Sequence, residues 1–205
     1  MIEFRALTSD DLGLLSGWLA EPHVAQWWGE PLSLAAVEAK YGPRIRGEQP
    51  TEVFVVTDAE ESIGLIQRYR FRDDPASVAA LKPAEIETAS AAGIDYFLGD
   101  TASTGHGVGA TMIDRFTLRL FTDLSDIERV LATPHPANHA SRRALEASGY
   151  RLVWIGELNR TDIDRTDIDR NEIDSTDINH NEIDRNDPSG ASAAAVYVRE
   201  RPQAL

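Results

Sequence analysis

Hydrophobic and polar residues repeat along this chain with two periods, one typical of helices and one of strands. Val108, Met112, Phe116 and Leu120 recur every four residues and so share one helix face. Short apolar runs bounded by turn residues predict strands at residues 2–6, 51–57, 62–69, 93–98, 126–132, 150–158 and 193–199. Helices are predicted to start near residues 8, 34, 108 and 138. Strands gather early and then alternate with helices, which predicts a mixed α/β sheet.

Residues 72–92 show neither period and separate two predicted strands. We interpret this segment as a mobile loop that can include one helical turn, and loops of this length are often functional lids. Its acidic residues are candidate ligands for a cation: Asp73, Asp74, Glu85 and Glu87. The alternative for each of them is an ordinary solvated charge.

A glycine-rich stretch joins the strand at 93–98 to the helix that begins at Val108. Gly105, Gly107 and Gly109 alternate with other residues, and glycines let a ligand approach the backbone closely. Free N–H groups at a helix start attract phosphate. We therefore expect a phosphate site formed by Thr104, Gly105, His106, Gly107, Val108, Gly109 and Ala110. The alternative is a turn without a ligand, and neither the Walker A ending nor the G-x-G-x-x-G spacing is present.

Two adjacent tryptophans, Trp27 and Trp28, lie on a short segment after the first predicted helix. Neighbouring side chains on such a segment cannot both face one core. We expect one of them to line a cleft, and the alternative is that both cover core edges at different angles.

Residues 160–188 repeat with a period of five, in units of small polar, acidic, isoleucine, acidic or Asn, and polar residues. The repeat weakly resembles pentapeptide-repeat proteins, but five units are too few to stack well. We interpret it as a solvated or disordered insertion before the last strand. A partner-binding arm and a loose Ca²⁺ site are the alternatives, although no glycine supplies the turn of a calcium loop.

Composition narrows the classes of function. At 205 residues, the chain is predicted to be one domain spanning 1–205. It has no cysteine, which excludes disulfides and thiolate catalysis. The net charge of −14 disfavours nucleic-acid binding and favours a cationic ligand, with solubility alone as the alternative. Without a signal peptide or a membrane-length apolar run, we expect a cytoplasmic protein that does not bind membranes. The five histidines lack zinc-ligand spacing, so we expect no metal.

Several motifs in order resemble the aminoglycoside 6′-N-acetyltransferases, a branch of the GNAT family. The segments that carry this resemblance are Trp18-Leu19, Pro22-His23-Val24, Trp27-Trp28-Gly29, Ile63-Gly64 with Gln67 and Tyr69, Gly93-Ile94-Asp95, residues 105–109, and Pro134, Pro136, Asn138, Arg143, Glu146 and Gly149-Tyr150. The resemblance implies a GNAT-like, mixed but mostly antiparallel twisted sheet flanked by helices. It also implies acetyl-CoA as cosubstrate, bound by the glycine stretch and Asn138.

The resemblance implies transfer of an acetyl group to a primary amine of an aminoglycoside-like cationic substrate. Trp27, Trp28, Gln67 and Tyr69 are then substrate-binding candidates beside the four acids of residues 72–92. Asp95 follows an apolar pair on a strand, and a carboxylate there suits the role of base toward the amine. The alternative is that Asp95 caps backbone or pairs with an arginine such as Arg68 or Arg70.

Three residues depart from the family pattern. Thr104 replaces the usual Arg or Gln of the acetyl-CoA loop, and Thr133 replaces an aspartate that holds the substrate ammonium. Leu145 replaces a tyrosine that protonates the departing thiolate, so that water would have to serve. These departures keep two alternatives open: a siderophore-pathway lysine N-acyltransferase, and a catalytically weak acetyl-CoA-binding protein with an acidic partner-binding arm. The oligomeric state does not follow from the sequence.

Overall fold

The computed structural model describes residues 1–29, 33–159 and 191–203. Within them, seven strands form one sheet flanked by six helices. The strands are β1 (Ile2–Ala6), β2 (Glu52–Asp58), β3 (Glu61–Arg70), β4 (Ala91–Leu98), β5 (Arg129–Ala132), β6 (Arg151–Asn159) and β7 (Ala191–Glu200). The helices are α1 (Leu12–Ala20), α2 (Pro22–Trp28), α3 (Leu34–Ile45), α4 (Pro75–Ala80), α5 (Val108–Asp123) and α6 (His139–Ala147).

The strands lie side by side in the order β1-β2-β3-β4-β5-β7-β6. Every neighbouring pair is antiparallel except β4 and β5, which run parallel. The predicted mixed, mostly antiparallel sheet is therefore confirmed. The five-residue repeat at 160–188 falls between β6 and β7 and lies outside the described residues.

Local chemistry explains where these elements begin and end. Ala59 and Glu60 adopt positive φ angles of 47° and 74°, which forms the tight turn between β2 and β3. Asn138 accepts a hydrogen bond from the Ser141 N–H at 3.0 Å and so caps α6, as the sequence predicts. The strand predicted at 126–132 is shorter than expected, because Ile127 N–H donates to the Leu124 carbonyl in a turn before β5.

The prediction of a loop at residues 72–92 is wrong for residues 72–84 and for the end of the segment, whereas residues 85–90 lie outside helices and strands. A short 3-10 turn, α4 and a second 3-10 turn occupy its first half, and β4 already begins at Ala91. Asp74 caps α4 and Pro75 occupies its first turn. Six residues are too few to produce a readable helical period. Buried Phe71 and Leu81 anchor the segment against the sheet.

The two faces of the sheet are covered differently. On one face, α5 and α6 close a continuous apolar core with residues such as Ile66, Ile94 and Phe116. On the other face, two separate apolar clusters form. The first joins α1 and α3 to β2, β3 and β4 through residues such as Leu65 and Phe97, and the second joins the α4 segment to β5, β7 and β6. The gap between these two clusters is the only part of this face where polar strand residues described in the structure pair across β3 and β4.

Candidate active site

The parallel strands β4 and β5 separate after a short stretch of pairing. They pair only from Ala91–Arg129 to Gly93–Leu131, whereas β4 pairs with β3 along its length as far as Leu98. Beyond Leu131, the chain follows β7 instead, and the Pro134 carbonyl accepts the Ala195 N–H at 2.9 Å. Residues 94–98 of β4 therefore have one edge without a strand partner in the described chain. This opening between β4 and β5 is called the split below.

The start of α5 lies directly after β4 and its following turn. Gly107 caps the helix with φ of 80°, and Gly105 has φ of 82°, so both positions require the left-handed conformation that glycine adopts freely. The first intrahelical bond runs from Thr111 N–H to the Gly107 carbonyl at 3.1 Å. The preceding N–H groups of Val108, Gly109 and Ala110 consequently have no partner within the helix. This is the arrangement that binds phosphate groups.

Thr104 and His106 are the polar residues of the glycine stretch. Thr104 donates its hydroxyl to the Thr101 carbonyl at 2.7 Å, so its side chain stabilises its own turn. The His106 side chain is exposed. Gly109 is partly buried, and a Cβ there would lie 3.8 Å from the Cβ of Ala144 on α6. The start of α5 thus packs close to α6.

Asp95 lies in the gap between the two apolar clusters. Its side chain shares a face with Gln67, which is its register partner on β3. The Gln67 side chain is buried, and its Nε2 donates to Asp95 Oδ2 at 3.0 Å. The Gln67 Oε1 accepts from Arg44 of α3 at 3.2 Å. The chain of contacts Arg44–Gln67–Asp95 fixes a half-buried carboxylate beside the split.

Arg68 and Arg70 have carboxylate partners other than Asp95. Arg68 pairs with Glu52 at 2.9 Å and with Asp123 at 2.8 Å, and Arg70 pairs with Asp126. The alternative in which Asp95 pairs with Arg68 or Arg70 is therefore wrong. Even-numbered and odd-numbered residues of β3 face opposite sides of the sheet, so both arginines point away from the face that Gln67 and Asp95 share.

The two tryptophans of α2 have different surroundings. Trp28 is partly buried and packs edge-on against Phe97 of β4, with ring centroids 4.8 Å apart. Trp27 is 36% exposed and stacks on His135 at 5.6 Å. His135 follows β5, whereas α2 is attached to β4 through His23, whose Nε2 donates to the Leu98 carbonyl at 2.9 Å. The Trp27–His135 stack therefore spans the split.

Tyr69 of β3 lies across the point where β4 and β5 begin to separate. A Cβ at Gly93 would fall 2.3 Å from the Tyr69 ring, so only glycine at this position lets the ring cover β4. The ring also packs on Phe71 at 5.5 Å. Tyr69 thus borders the gap that holds Asp95.

On the far side of the split, α6 contributes Ser141 and Leu145. The Leu145 side chain is fully buried in the core beneath α5 and α6, so it presents no polar group to the split. The Ser141 hydroxyl lies 2.7 Å from the Tyr96 hydroxyl of β4. This hydrogen bond also spans the split, on the face opposite to Asp95.

The four acids of residues 72–92 are not gathered at one point. Asp74 caps α4 by accepting the Ser77 N–H at 3.1 Å, and Asp73 lies 3.9 Å from Arg72. Glu87 accepts the Ala89 N–H at 2.5 Å and lies 3.7 Å from Arg129. Glu85 is exposed and has a positive φ of 51°. Of these four acids, Glu85 is the least committed to hydrogen bonds and ion pairs in the described residues.

Metal ligands do not cluster in the described chain. Among residues 1–29, 33–159 and 191–203, no group of three or more His, Cys, Asp or Glu side chains could hold a metal ion. In that same part of the chain, no helix is long and apolar enough to cross a membrane.

A family model described as the acetyltransferase (GNAT) domain matches residues 8–158, which include the split, the glycine stretch and Asp95. The chain belongs to the GNAT acetyltransferases. This acetyltransferase is 27% identical, over 157 residues, to an aminoglycoside N(6′)-acetyltransferase type 1 of Klebsiella pneumoniae, with 73% of each chain covered. An enzyme of the same name from Serratia marcescens matches equally well.

Solved structures share the fold of this acetyltransferase. Aminoglycoside acetyltransferase AAC(6′)-Ib in complex with coenzyme A and kanamycin superposes with a TM-score of 0.70 at 22% identity, covering 98% of this chain and 95% of the other. A spermidine N-acetyltransferase chimera from Vibrio cholerae and hSSAT superposes with a TM-score of 0.61 at 17% identity, covering 97% and 95%.

Sequence reasoning missed three residues of this acetyltransferase that border the split or support Asp95. Arg44 orients Gln67, and Tyr96 and Ser141 join β4 to α6. No motif contains any of these residues. Only Tyr96 carries a signal, because it directly follows Asp95.

Proposed function

We propose that this acetyltransferase transfers the acetyl group of acetyl-CoA to a primary amine of a cationic, aminoglycoside-like molecule. The observation that carries the proposal is the position of Asp95. Its carboxylate lies beside the split, held by buried Gln67, in a polar gap between two apolar clusters. A carboxylate so placed can hold an ammonium group and accept a proton from it.

The donor would enter through the split. The pyrophosphate of acetyl-CoA would accept hydrogen bonds from the free N–H groups of Val108, Gly109 and Ala110 at the start of α5. The pantetheine arm would run along the unpaired edge of β4, between β4 and β5. Asn138 would bound the same channel from the start of α6. Its side-chain oxygen already accepts the Ser141 N–H, which leaves its amide N–H₂ for the ligand.

The reaction would proceed by direct attack of the amine on the thioester carbonyl. Asp95 would take up the proton that the nitrogen loses, directly or through water. Backbone N–H groups along the unpaired edge of β4 would donate to the carbonyl oxygen as it gains negative charge. Both groups belong to the same strand, so one rigid element would position base and oxyanion donors together.

The acceptor would bind on the face that carries Asp95. Aromatic side chains border this region on both sides, with Trp27 and Trp28 on α2 and Tyr69 on β3. Of the acids Asp73, Asp74, Glu85 and Glu87, which are not gathered at one point, Glu85 is the least committed to other contacts and would add negative charge for a cationic acceptor. The net charge of −14 favours such an acceptor.

The relatives of this acetyltransferase support the same choice of acceptor. Two relatives are aminoglycoside N(6′)-acetyltransferases, one structural neighbour holds kanamycin, and another is a spermidine N-acetyltransferase. Because Thr133 is not acidic, the substrate ammonium would be held by Asp95 instead.

A thiol-release assay tests the proposal. Acetyl-CoA is mixed with the protein and with kanamycin, spermidine or lysine, and free CoA is followed with a thiol reagent. We expect CoA to be released when kanamycin is present and not when the amine is left out. Release only with lysine and a longer acyl-CoA would instead favour a lysine N-acyltransferase. Tight CoA binding without release for any amine would contradict the proposed activity.

A further inference from the structure

Expulsion of the CoA thiolate is faster when a proton donor lies on the far side of the reacting carbon from Asp95. A thiolate is a poor leaving group compared with a thiol, and a positioned acid accelerates such a step by about 10²- to 10⁴-fold. Leu145 of α6 cannot supply this proton, because it is apolar and fully buried. The source must be another hydroxyl at the split or water.

Tyr96 is the hydroxyl that the fold places there. Asp95 and Tyr96 are consecutive on β4, so their side chains leave the strand on opposite faces. Both belong to the part of β4 whose edge faces the split. A thioester lying along this edge would have the Asp95 carboxylate on one face and the Tyr96 hydroxyl on the other.

The Tyr96 hydroxyl is already held by a partner from across the split. Its oxygen lies 2.7 Å from Ser141 Oγ, and α6, which carries Ser141, is reached from β5. If Ser141 donates this hydrogen bond, the Tyr96 O–H hydrogen is free to point elsewhere.

Other tyrosines near the split are committed elsewhere. The Tyr197 hydroxyl donates to Glu146 at 2.7 Å and accepts from Arg142 at 3.1 Å. The Tyr69 ring lies over Gly93, where β4 and β5 are still paired. Tyr150 bonds to Thr117 within the core. The Tyr96 hydroxyl, in contrast, joins the two sides of the split through its hydrogen bond with Ser141.

We propose that Tyr96 donates the proton to the departing CoA sulfur and that Ser141 is the positioning residue that orients it; this inference rests on the proposed acetyl transfer. The amine nitrogen forms a bond to the acetyl carbon, the carbon–sulfur bond breaks, and its electron pair stays on sulfur. The Tyr96 proton passes to that sulfur and yields the free thiol. Tyr96 regains a proton through the partly exposed Ser141 hydroxyl from solvent, while the amine proton leaves through Asp95.

The test compares two tyrosines by the same substitution. Tyr96→Phe removes the hydroxyl at the split, and Tyr150→Phe removes a hydroxyl that also makes a 2.7 Å hydrogen bond to a hydroxyl group in the same core. We expect Tyr96→Phe to lower kcat about 100-fold, with KM for acetyl-CoA and the calorimetric Kd of CoA unchanged. Tyr150→Phe should lower the melting temperature and leave kcat of the folded protein near wild type.

Ser141 supplies a second comparison. Ser141→Ala should lower kcat less than Tyr96→Phe does and leave KM unchanged, and Ser141→Thr, which restores a hydroxyl, should recover most of the loss. Equal kcat values for the Tyr96→Phe and Tyr150→Phe proteins would overturn the inference. Slow hydrolysis of acetyl-CoA without an amine also expels the thiolate. If no amine is acetylated, the proposed acceptor is wrong, and this hydrolysis still decides whether Tyr96 acts.

Discussion

At the scale of single residues, the orientation of the Gln67 amide decides whether its N–H₂ group or its oxygen faces the Asp95 carboxylate. An amide can present either its N–H₂ group or its oxygen to a neighbour. Arg44 has only donors, so the Gln67 oxygen must face it, and the Gln67 N–H₂ group is thereby turned toward Asp95. The carboxylate then receives a hydrogen bond instead of facing a carbonyl oxygen, which would repel it.

We therefore expect Arg44→Met to lower kcat about tenfold without changing CoA affinity. The variant keeps most of the stem and removes the donors, so the amide can rotate. Hydrogen bonds to charged groups contribute about 1.5–3 kcal/mol, and part of that would be lost. Steady-state kinetics and calorimetry provide the measurement. Gln49→Leu is the control, because Gln49 bonds to the Nε of Arg44, whereas Gln67 bonds to its Nη1; an equal loss of kcat there would contradict the proposed role of Arg44.

Residue roles are only partly predictable from sequence. Asp95 and Gln67 are each site candidates by their motifs, but their contact depends on the β3–β4 register. Arg44 lies on a helix remote in sequence from both, and no spacing rule links it to them. The same holds for Tyr96 and Ser141, which meet only because β4 and α6 approach each other across the split.

At the scale of elements, the start of α5 is the feature that the sequence predicts best. Three glycines before a four-residue apolar period indicate a loop followed by a helix, and α5 follows this pattern from Val108. The segment at 72–92 is the opposite case. Its helix is too short for a period to show, and its burial comes from contacts with distant strands.

Gly107→Val is expected to weaken CoA binding at least tenfold. The side chain would occupy open space beside the free N–H groups of α5, where the pyrophosphate is proposed to lie, and the positive φ adds about 1–2 kcal/mol of backbone strain. Gly47→Val is the matched control. Gly47 also has a positive φ, of 72°, and a Cβ added there would meet nothing within 4 Å, but it follows α3. Calorimetry that finds equal CoA affinities for the two variants would rule out this placement of the donor.

At the scale of the whole molecule, the split arises from the strand order. Every strand pairs antiparallel with at least one neighbour, and one parallel pair joins the two halves of the sheet. β4 stays with β3, β5 stays with β7, and the halves diverge between them. Periodicity and turn chemistry predict the strands, whereas their mostly antiparallel arrangement follows only from the family resemblance. The repeat at 160–188 stays a prediction of the sequence alone.

The proposed acetyl transfer depends on Asp95, which would accept the proton of the attacking amine at this split. Steady-state kinetics and CoA calorimetry of Asp95→Asn measure this role. Asp58→Asn is the control, because Asp58 lies at the end of β2 and accepts a hydrogen bond from the N-terminal ammonium at 2.6 Å. Asparagine can still accept the Gln67 hydrogen bond, so the fold should persist. We expect Asp95→Asn to lower kcat with kanamycin about 10²- to 10⁴-fold at unchanged CoA affinity. If the kcat of Asp95→Asn is close to that of Asp58→Asn and of the wild type, Asp95 does not accept the amine proton.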